Sequence, residues 1–228
     1  MAAPRGSRTE GVAMSRVSMG PGSGVVAGYH DGIPLDRWAR VTAGRLLADE
    51  QPRRWAHSQG VGRKAEGAAL ALAPADRPVL VAAAWLHDIG YAAAVRGVGF
   101  HQLDGARYLR RLGVPPRVCA LVAHHSGADA VAALVGLGPR LAEFPDERGP
   151  VRDALWYCDL TTSPDGLPVS YRTRLLELRA RRSPDDPVVR ALADNGEERA
   201  AVVRRTEDLL LSVRFGHRAE VDGDRRTG

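Results

Sequence analysis

The stretch W-L-H-D-I-G, from Trp85 to Gly90, places an imidazole and a carboxylate side by side at the end of an apolar run. The run Val79–Leu86 predicts a buried helix. In such a helix, His87 and Asp88 project about 100° apart near the same end. Both polar side chains must therefore find partners where the preceding pattern predicts core.

The dipeptide by itself decides little, because His30-Asp31 repeats it in a glycine-rich segment without apolar periodicity. We interpret that second copy as loop. A His-Asp pair at a helix end is often a hydrogen-bonded capping pair. The pair His87-Asp88 indicates a functional site only if other parts of the chain supply further ionisable residues to the same place.

Composition predicts one all-α domain. The chain has 228 residues, of which 44% are hydrophobic and only 5% aromatic, so its core must be built largely from Ala, Leu and Val. Such small side chains favour closely packed helices. We expect a disordered leader over residues 1–32, a compact helical domain over 33–216 and a flexible tail over 217–228.

Proline residues mark the starts of several predicted helices, and glycine residues mark their ends. The predicted helices cover residues 36–48, 53–73, 79–90, 101–113, 117–127, 151–162, 169–182 and 197–215. A polar, proline-rich connection lies around residues 143–150. No internal repeat stands out.

Compartment and partners follow from what the sequence lacks. It contains no run of eighteen apolar residues and no apolar N-terminal signal, so we expect a cytoplasmic protein that does not bind membranes. Cys119 and Cys158 lie in apolar helical runs without C-x-x-C spacing, which predicts buried free thiols.

The net charge of +5 comes almost entirely from arginine, with Lys64 the only lysine. Arginine suits planar contact with phosphate, although a GC-rich coding sequence gives the same usage. Basic and acidic residues are interspersed, so we expect no nucleic-acid partner.

Seven ionisable residues interrupt the apolar helices or lie at their ends. Taken singly, each has an ordinary interpretation: a surface histidine, a cap or the partner of an arginine. Imidazole and carboxylate ligands without thiolates suit divalent Mn, Fe, Co, Mg or Zn, and a shared carboxylate can hold two ions. The candidate metal ligands are His57, His87, Asp88, His101, His124, His125 and Asp159.

The order of these residues resembles a known family. His57, then His87-Asp88, then Asp159, each on a separate predicted helix, is similar to the H…HD…D signature of the HD-domain metal-dependent phosphohydrolases, an all-helical superfamily. The resemblance spans roughly residues 48–182. It implies that Asp88 is the central catalytic residue and a metal ligand.

The resemblance extends to binuclear members of this superfamily. His101 in F-H-Q-L-D-G-A and His124 in H-H-S-G are similar to the two extra histidines of the bacterial diadenosine-tetraphosphate hydrolases and the cyclic-dinucleotide phosphodiesterases. Two departures are visible: Tyr91 stands where many members have a lysine after H-D-I-G, and the GYP signature does not appear. Cyclic-dinucleotide cleavage is therefore disfavoured.

The function that the resemblance implies is metal-dependent hydrolysis of a small phosphorylated compound. A nucleotide is the first candidate for this compound. Two ions would generate a hydroxide and clamp the phosphoryl oxygens. The resemblance assigns one ion to His57, His87, Asp88 and Asp159, and a second ion to Asp88, His101 and His124.

The remaining site residues rest on weaker patterns. Neighbours on a helix diverge in direction, so only one of His124 and His125 is expected to point at the metals, and we favour His124. Lys64 and Arg172 are candidate substrate-binding residues, although helix arginines such as Arg172 and Arg174 are more often solvated charges.

The ligand residues are also compatible with two other functions. The same superfamily contains mixed-valent di-iron oxygenases with a similar ligand set, so the ligands alone do not separate hydrolysis from oxygenation. A non-catalytic ligand-binding module is the third hypothesis. The full ligand set argues against it, because buried carboxylates and imidazoles without partners are costly to retain.

Overall fold

The computed structural model describes residues 28–30 and 32–224, with side chains as far as residue 214. Over these residues the chain is helical and contains no strand, so the all-α prediction is confirmed. The α-helices are α1 (Leu35–Leu47), α2 (Pro52–Ala68), α3 (Arg77–Leu86), α4 (His101–Arg111), α5 (Pro116–Ala123), α6 (Ala128–Leu134), α7 (Gly138–Leu141), α8 (Pro150–Leu160), α9 (Tyr171–Ala180) and α10 (Pro187–Asp224).

Helix α3 lies at the centre of the bundle. It packs against α1, α2, α5 and α8, and every side chain from Leu80 to Leu86 is buried. A helix that is apolar on all sides can only be an interior helix. Its C-terminal end, where His87 and Asp88 follow, therefore opens inside the bundle and not at the surface.

Helix α2 approaches α3 closely because a glycine faces the largest side chain of α3. A Cβ atom added at Gly62 would lie 2.4 Å from Cε2 of Trp85, which is closer than two carbon atoms can approach. The contact brings the middle of α2, with His57 one and a half turns earlier, against the end of α3.

Helix α10 closes the side of the bundle, where it packs against α8 and α6. Its first half carries buried residues such as Ala191, Arg199 and Val202. Helix α9 joins α8 to α10 and packs more lightly against both. Together α9 and α10 form one wall of the space beyond the end of α3.

Several element boundaries differ from the sequence prediction. Helices α6 and α7 were not predicted, and α5 ends at Ala123 instead of continuing to Gly127. The last helix begins at Pro187, ten residues before the predicted start, and it runs past residue 216 to Asp224. Tertiary packing against α6 and α8 stabilises the early part of α10, which its own amphipathic pattern does not predict.

The predicted leader falls mainly on residues 1–27 and 31, which lie outside the described residues. Near its end, Tyr29 donates its backbone N–H to Leu112 O at 2.8 Å, and its ring packs edge-on against Trp38. The domain limits at residues 33 and 216 stay a prediction.

Within the described part of the chain, no helix combines the length and apolar character that a membrane span requires. Both cysteines are free and buried, as predicted. Burial raises the pKa of Cys119 to about 11 and that of Cys158 to about 12.

We expect Gly62→Ala to destabilise the protein by roughly 1–3 kcal/mol, because the new methyl group collides with Trp85. Gly67 on the same helix has nothing within 4 Å of an added Cβ. Gly67→Ala should therefore be neutral or stabilise by up to about 1 kcal/mol through helix propensity. Urea unfolding followed by circular dichroism measures both; similar losses in the two variants would contradict the packing argument.

We expect neither thiol to react with a disulfide reagent such as DTNB in the native protein at pH 8. Both thiols are buried, and their raised pKa values leave almost no thiolate at that pH. Both should react in denaturant. Rapid labelling of the native chain would show that α5 or α8 opens readily.

Candidate metal centre

The carboxylate of Asp88 lies at the centre of a cluster of imidazole rings. Asp88 is only 2% exposed. Its Oδ1 lies 3.4 Å from Nε2 of His101 and 3.8 Å from Nε2 of His125, and its Oδ2 lies 3.5 Å from Nε2 of His87. Both carboxylate oxygens therefore face histidine nitrogens that come from three different parts of the chain.

A close backbone contact explains why the motif ends in glycine at Gly90. A Cβ atom at this position would lie 1.9 Å from the backbone oxygen of His101. No other residue lets the first turn of α4 come this close to the end of α3. The fit brings His101 to Asp88 across a loop of ten residues.

A second acid–histidine pair, between α2 and α8, completes the cluster. Nε2 of His57 lies 2.9 Å from Oδ1 of Asp159, and the His57 ring packs edge-on against the His87 ring with centroids 5.3 Å apart. The other oxygen of Asp159 accepts a hydrogen bond from the Ser126 hydroxyl. Helices α2, α3, α4 and α8 and the turn after α5 thus each contribute to one site.

Three of the histidines are oriented by the same device. In each, Nδ1 lies within hydrogen-bond distance of a backbone carbonyl, which can only accept, so Nδ1 donates and Nε2 faces the cluster. Metal-binding histidines are usually held in this way. The pairs are His57 with Ser163 O at 2.9 Å, His87 with Ala84 O at 2.8 Å and His125 with Val122 O at 2.7 Å.

Nε2 of His87 is the atom that a metal ion would explain best. It is fully buried and has no hydrogen-bond partner among the described residues. A buried polar atom without a hydrogen-bond partner is costly. The nitrogen faces Asp88, so a divalent cation between the two would satisfy both.

The side chains fit two ions that share one carboxylate. Ligand atoms of His57, His87 and Asp88 all lie within 4.8 Å of one another, and so do those of Asp88, His101 and His125. This spacing agrees with metal–ligand bonds of about 2.0–2.2 Å. Asp88 belongs to both groups.

The cluster holds its carboxylates in the charged form. Burial alone would raise the pKa of Asp88, but the neighbouring His87 and the Arg54 guanidinium outweigh it and hold the pKa well below its usual range. Burial would likewise raise the pKa of Asp159, and its hydrogen bond with His57 lowers it well below the ordinary value.

Two of the imidazoles are held in the neutral form that binds metals. Burial lowers the pKa of His125 to about 4, and the nearby His87 adds to this shift. Burial also lowers the pKa of His101 well below its ordinary value. Near neutral pH both rings therefore offer a lone pair.

The structure reverses the preference for His124 over His125. His124 turns away from Asp88: its Nδ1 lies 3.0 Å from Oδ1 of Asp129, and its Nε2 donates to Phe144 O at 2.6 Å. The reason is the turn after α5, where Ser126 adopts a φ of 50°. This turn ends the helix early and directs the second histidine, not the first, at the cluster.

The two predicted substrate-binding residues lie outside the cavity that opens onto the cluster. Lys64 donates to the hydroxyl of Thr161 at 2.6 Å, so it links α2 to the end of α8. Arg172 is exposed on α9. Arg174, two residues later, is buried and does line the cavity.

Five arginines line this cavity of about 80 Å³, against two aspartates. Four of them were not predicted from the sequence, because arginines on helices are ordinarily solvated and nothing in the spacing marks these as inward-facing. The five are Arg54, Arg174, Arg181, Arg182 and Arg199. The arrangement can bind a small anion directly above the acid–histidine cluster.

Arg54 supplies the cation that Tyr91 does not. Its guanidinium lies over the Tyr91 ring, 4.0 Å from the centroid, and 3.1 Å from Oδ2 of Asp88. The Tyr91 ring in turn stacks on the His101 ring, with centroids 4.1 Å apart. The Tyr91 ring therefore contacts both a cation and a histidine of the site.

The chain matches the protein-family model described as HD domain over residues 54–194, which is more than half of its length and includes every residue of the cluster. It has no significant match among curated proteins or solved structures.

We expect His125→Ala to leave about one metal ion per chain after purification without chelator, because the group around His101 loses a ligand. His124→Ala should keep the full metal content. It should instead lower the free energy of unfolding by roughly 1–3 kcal/mol, since Phe144 O loses its buried donor. Metal analysis by mass spectrometry and urea unfolding measure the two effects; loss of metal in His124→Ala alone would contradict the assignment.

Proposed function

The chain belongs to the HD-domain family, whose members are typically metal-dependent phosphohydrolases, and from this premise we propose that it hydrolyses a small phosphorylated compound. We further propose two divalent ions, one at His57, His87, Asp88 and Asp159 and one at Asp88, His101 and His125. Hydrolysis of a phosphate ester or phosphodiester is the reaction class that fits these residues.

One observation carries the proposal: a cavity lined by five arginines opens onto the Asp88 cluster. Arginine binds phosphate with two parallel hydrogen bonds and stays charged even when buried. Apolar side chains such as Val131, Leu178 and Val188 line the same cavity. A phosphoryl group attached to a less polar body is the ligand that such a lining accommodates.

Bound divalent ions would lower the pKa of a water to supply the nucleophile and would neutralise charge on the phosphoryl oxygens. The chain's own contribution begins with Arg54. Its guanidinium contacts Asp88 and points to the same space, so it can hold a phosphoryl oxygen in line with the cluster. The stacked Tyr91 ring restricts Arg54 and reduces the entropy that it loses on binding.

Ser126 has a positioning role. Its hydroxyl donates to Oδ2 of Asp159, which leaves Oδ1 directed at His57. Ser126 reaches this place only through a left-handed backbone conformation, with φ of 50°. Strain of this kind is kept where the surrounding structure requires it, and functional sites are the usual place.

The volume of the cavity and its charge support a class of substrate. A cavity of about 80 Å³ accepts a phosphoryl group and adjoining atoms, not a nucleic-acid duplex. We therefore propose a nucleotide-type or other small phosphorylated substrate and no nucleic-acid or membrane partner. A cytoplasmic location is also proposed, with which the two free thiols agree.

The experiment is a purification without chelator, followed by metal analysis and a substrate screen. Phosphomonoesters, nucleotides and dinucleoside polyphosphates would be tested with Mn, Fe, Co, Mg and Zn, and oxygen uptake would be recorded in parallel. Phosphate release that depends on added metal supports the proposal. Oxygen uptake without phosphate release would assign the chain to the di-iron oxygenases, and neither signal would favour a ligand-binding module.

We expect Asp88→Asn to abolish metal-dependent turnover and to lower bound metal, because Asp88 is the one residue common to both candidate ligand groups. The amide has the same shape as the carboxylate, so the helical content should survive. Turnover and metal content are measured on the same preparation.

His30→Ala is the matched control for that variant, since His30 belongs to the second His-Asp pair of the sequence. We expect wild-type activity and metal content from it. Full metal content in Asp88→Asn, or loss of metal in His30→Ala, would remove the basis of the proposed function.

A further inference from the structure

Arg199 lies on α10 and is only 3% exposed, yet it lines the cavity above the cluster. Its guanidinium lies against the turn after α5. A Cβ atom added at Gly127 would come within 2.9 Å of Nε of Arg199. The turn that directs His125 and Ser126 into the site therefore also makes room for a buried cation.

Arg199 differs from the other arginines of the cavity, because each of those has an acidic partner within the described side chains. Arg54 pairs with Asp88 at 3.1 Å, and Arg182 pairs with Asp186 at 2.7 Å. Glu177 serves both remaining arginines, Arg174 and Arg181. Among the same side chains, Arg199 makes no ion pair, and its Nε has no hydrogen-bond acceptor.

The groups nearest Arg199 do not compensate its charge: Tyr171 lies within electrostatic range, but its phenol is neutral near pH 7. Asp159 lies within electrostatic range, but its two oxygens are taken by His57 and Ser126. Arg174 also lies within range and adds a like charge. A metal ion on Asp159 would neutralise the one carboxylate nearby and leave Arg199 without any counter-charge.

A buried, unpaired guanidinium is expensive, and arginine does not escape the cost by losing its proton. Burial lowers the pKa of Arg199, which reflects this cost. The neighbouring surface of α10 is apolar, since Val202 and Val203 on the same helix are buried. An anion that enters the cavity would offset this cost by pairing with the Arg199 guanidinium.

We propose that Arg199, with Arg174 beside it, forms a subsite for a second anionic group of the substrate, a phosphate or a carboxylate. This inference rests on the proposed function, which assigns the scissile phosphoryl group to Arg54 and the metal ions. Arg54 lies beside Asp88 and the Tyr91 ring, and Arg199 lies beside Gly127. The substrate then carries two anionic groups on neighbouring positions, and a phosphomonoester of a neutral alcohol is a poor substrate.

The test uses Arg199→Met, which keeps the length and apolar stem of the side chain and removes its charge. Arg204→Met is the control, because Arg204 is an exposed arginine on the same helix. The probes are inorganic phosphate, pyrophosphate and phosphonoacetate. Pyrophosphate carries a second phosphate and phosphonoacetate a carboxylate, so the two probes separate the two candidate groups.

Binding is measured by calorimetry on metal-stripped protein, in which Arg54 is held by Asp88. We expect all three anions to bind the wild type. They should bind Arg199→Met about 10- to 100-fold more weakly, because the variant loses a charge-assisted hydrogen bond to the anion. With the co-purifying metal restored, pyrophosphate or phosphonoacetate should bind the wild type more tightly than phosphate. Arg199→Met should lose that advantage, and Arg204→Met should keep it.

Thermal unfolding gives a second readout. Removal of an uncompensated buried charge should raise the melting temperature of the ligand-free protein, whereas removal of a structural ion pair would lower it. Unchanged anion affinity in Arg199→Met, an equal loss in Arg204→Met, or a lower melting temperature in Arg199→Met would overturn the proposal. If Arg199-dependent binding is found but no phosphate ester is hydrolysed, the subsite stands and the proposed function fails.

Discussion

A carboxylate buried at the end of the central helix is the constraint on which the rest of the structure depends. Asp88 is almost completely buried, because it follows α3, which packs against α1, α2, α5 and α8. It must therefore be compensated by charge and by hydrogen-bonding groups from elsewhere in the chain. Four histidines, Arg54 and a second carboxylate meet around it; they come from α2, the end of α3, α4, the turn after α5, and α8. The interactions that compensate Asp88 therefore contribute both to the stability of the bundle and to the chemistry of the site.

Small residues make this convergence geometrically possible. Gly62 lets α2 approach α3 at Trp85, Gly90 lets α4 begin beside the end of α3, and Gly127 lets α10 lay a guanidinium against the turn after α5. Each glycine replaces a side chain that would hold two elements several ångströms apart. The alanine-rich core serves the same end between these points, so the composition of the chain follows from the need to bring five segments to one place.

The proposed function would explain a cost in the arginine-lined cavity that the fold does not require. Asp88 and Asp159 would satisfy a metal pair, and Glu177 and Asp186 already pair with arginines of the rim. Arg199 is left without a counter-charge inside the wall. Proteins retain such groups where a ligand compensates them, at the expense of stability in the free state. The same reasoning accounts for Ser126, whose strained backbone orients Asp159 and directs His125 inward.

The sequence by itself determined the fold class, the buried central helix, the free thiols and the main acid–histidine set, because apolar periodicity and the spacing of His57, His87, Asp88 and Asp159 are local or additive properties. It did not determine which of His124 and His125 faces the cluster, since that choice depends on the left-handed turn at Ser126. It also could not distinguish the cavity arginines from solvated ones, and it favoured Lys64 and Arg172 over Arg54 and Arg199. The direction of a long side chain is decided by which helix packs across it, and that is known only once α9 and α10 are folded against α8.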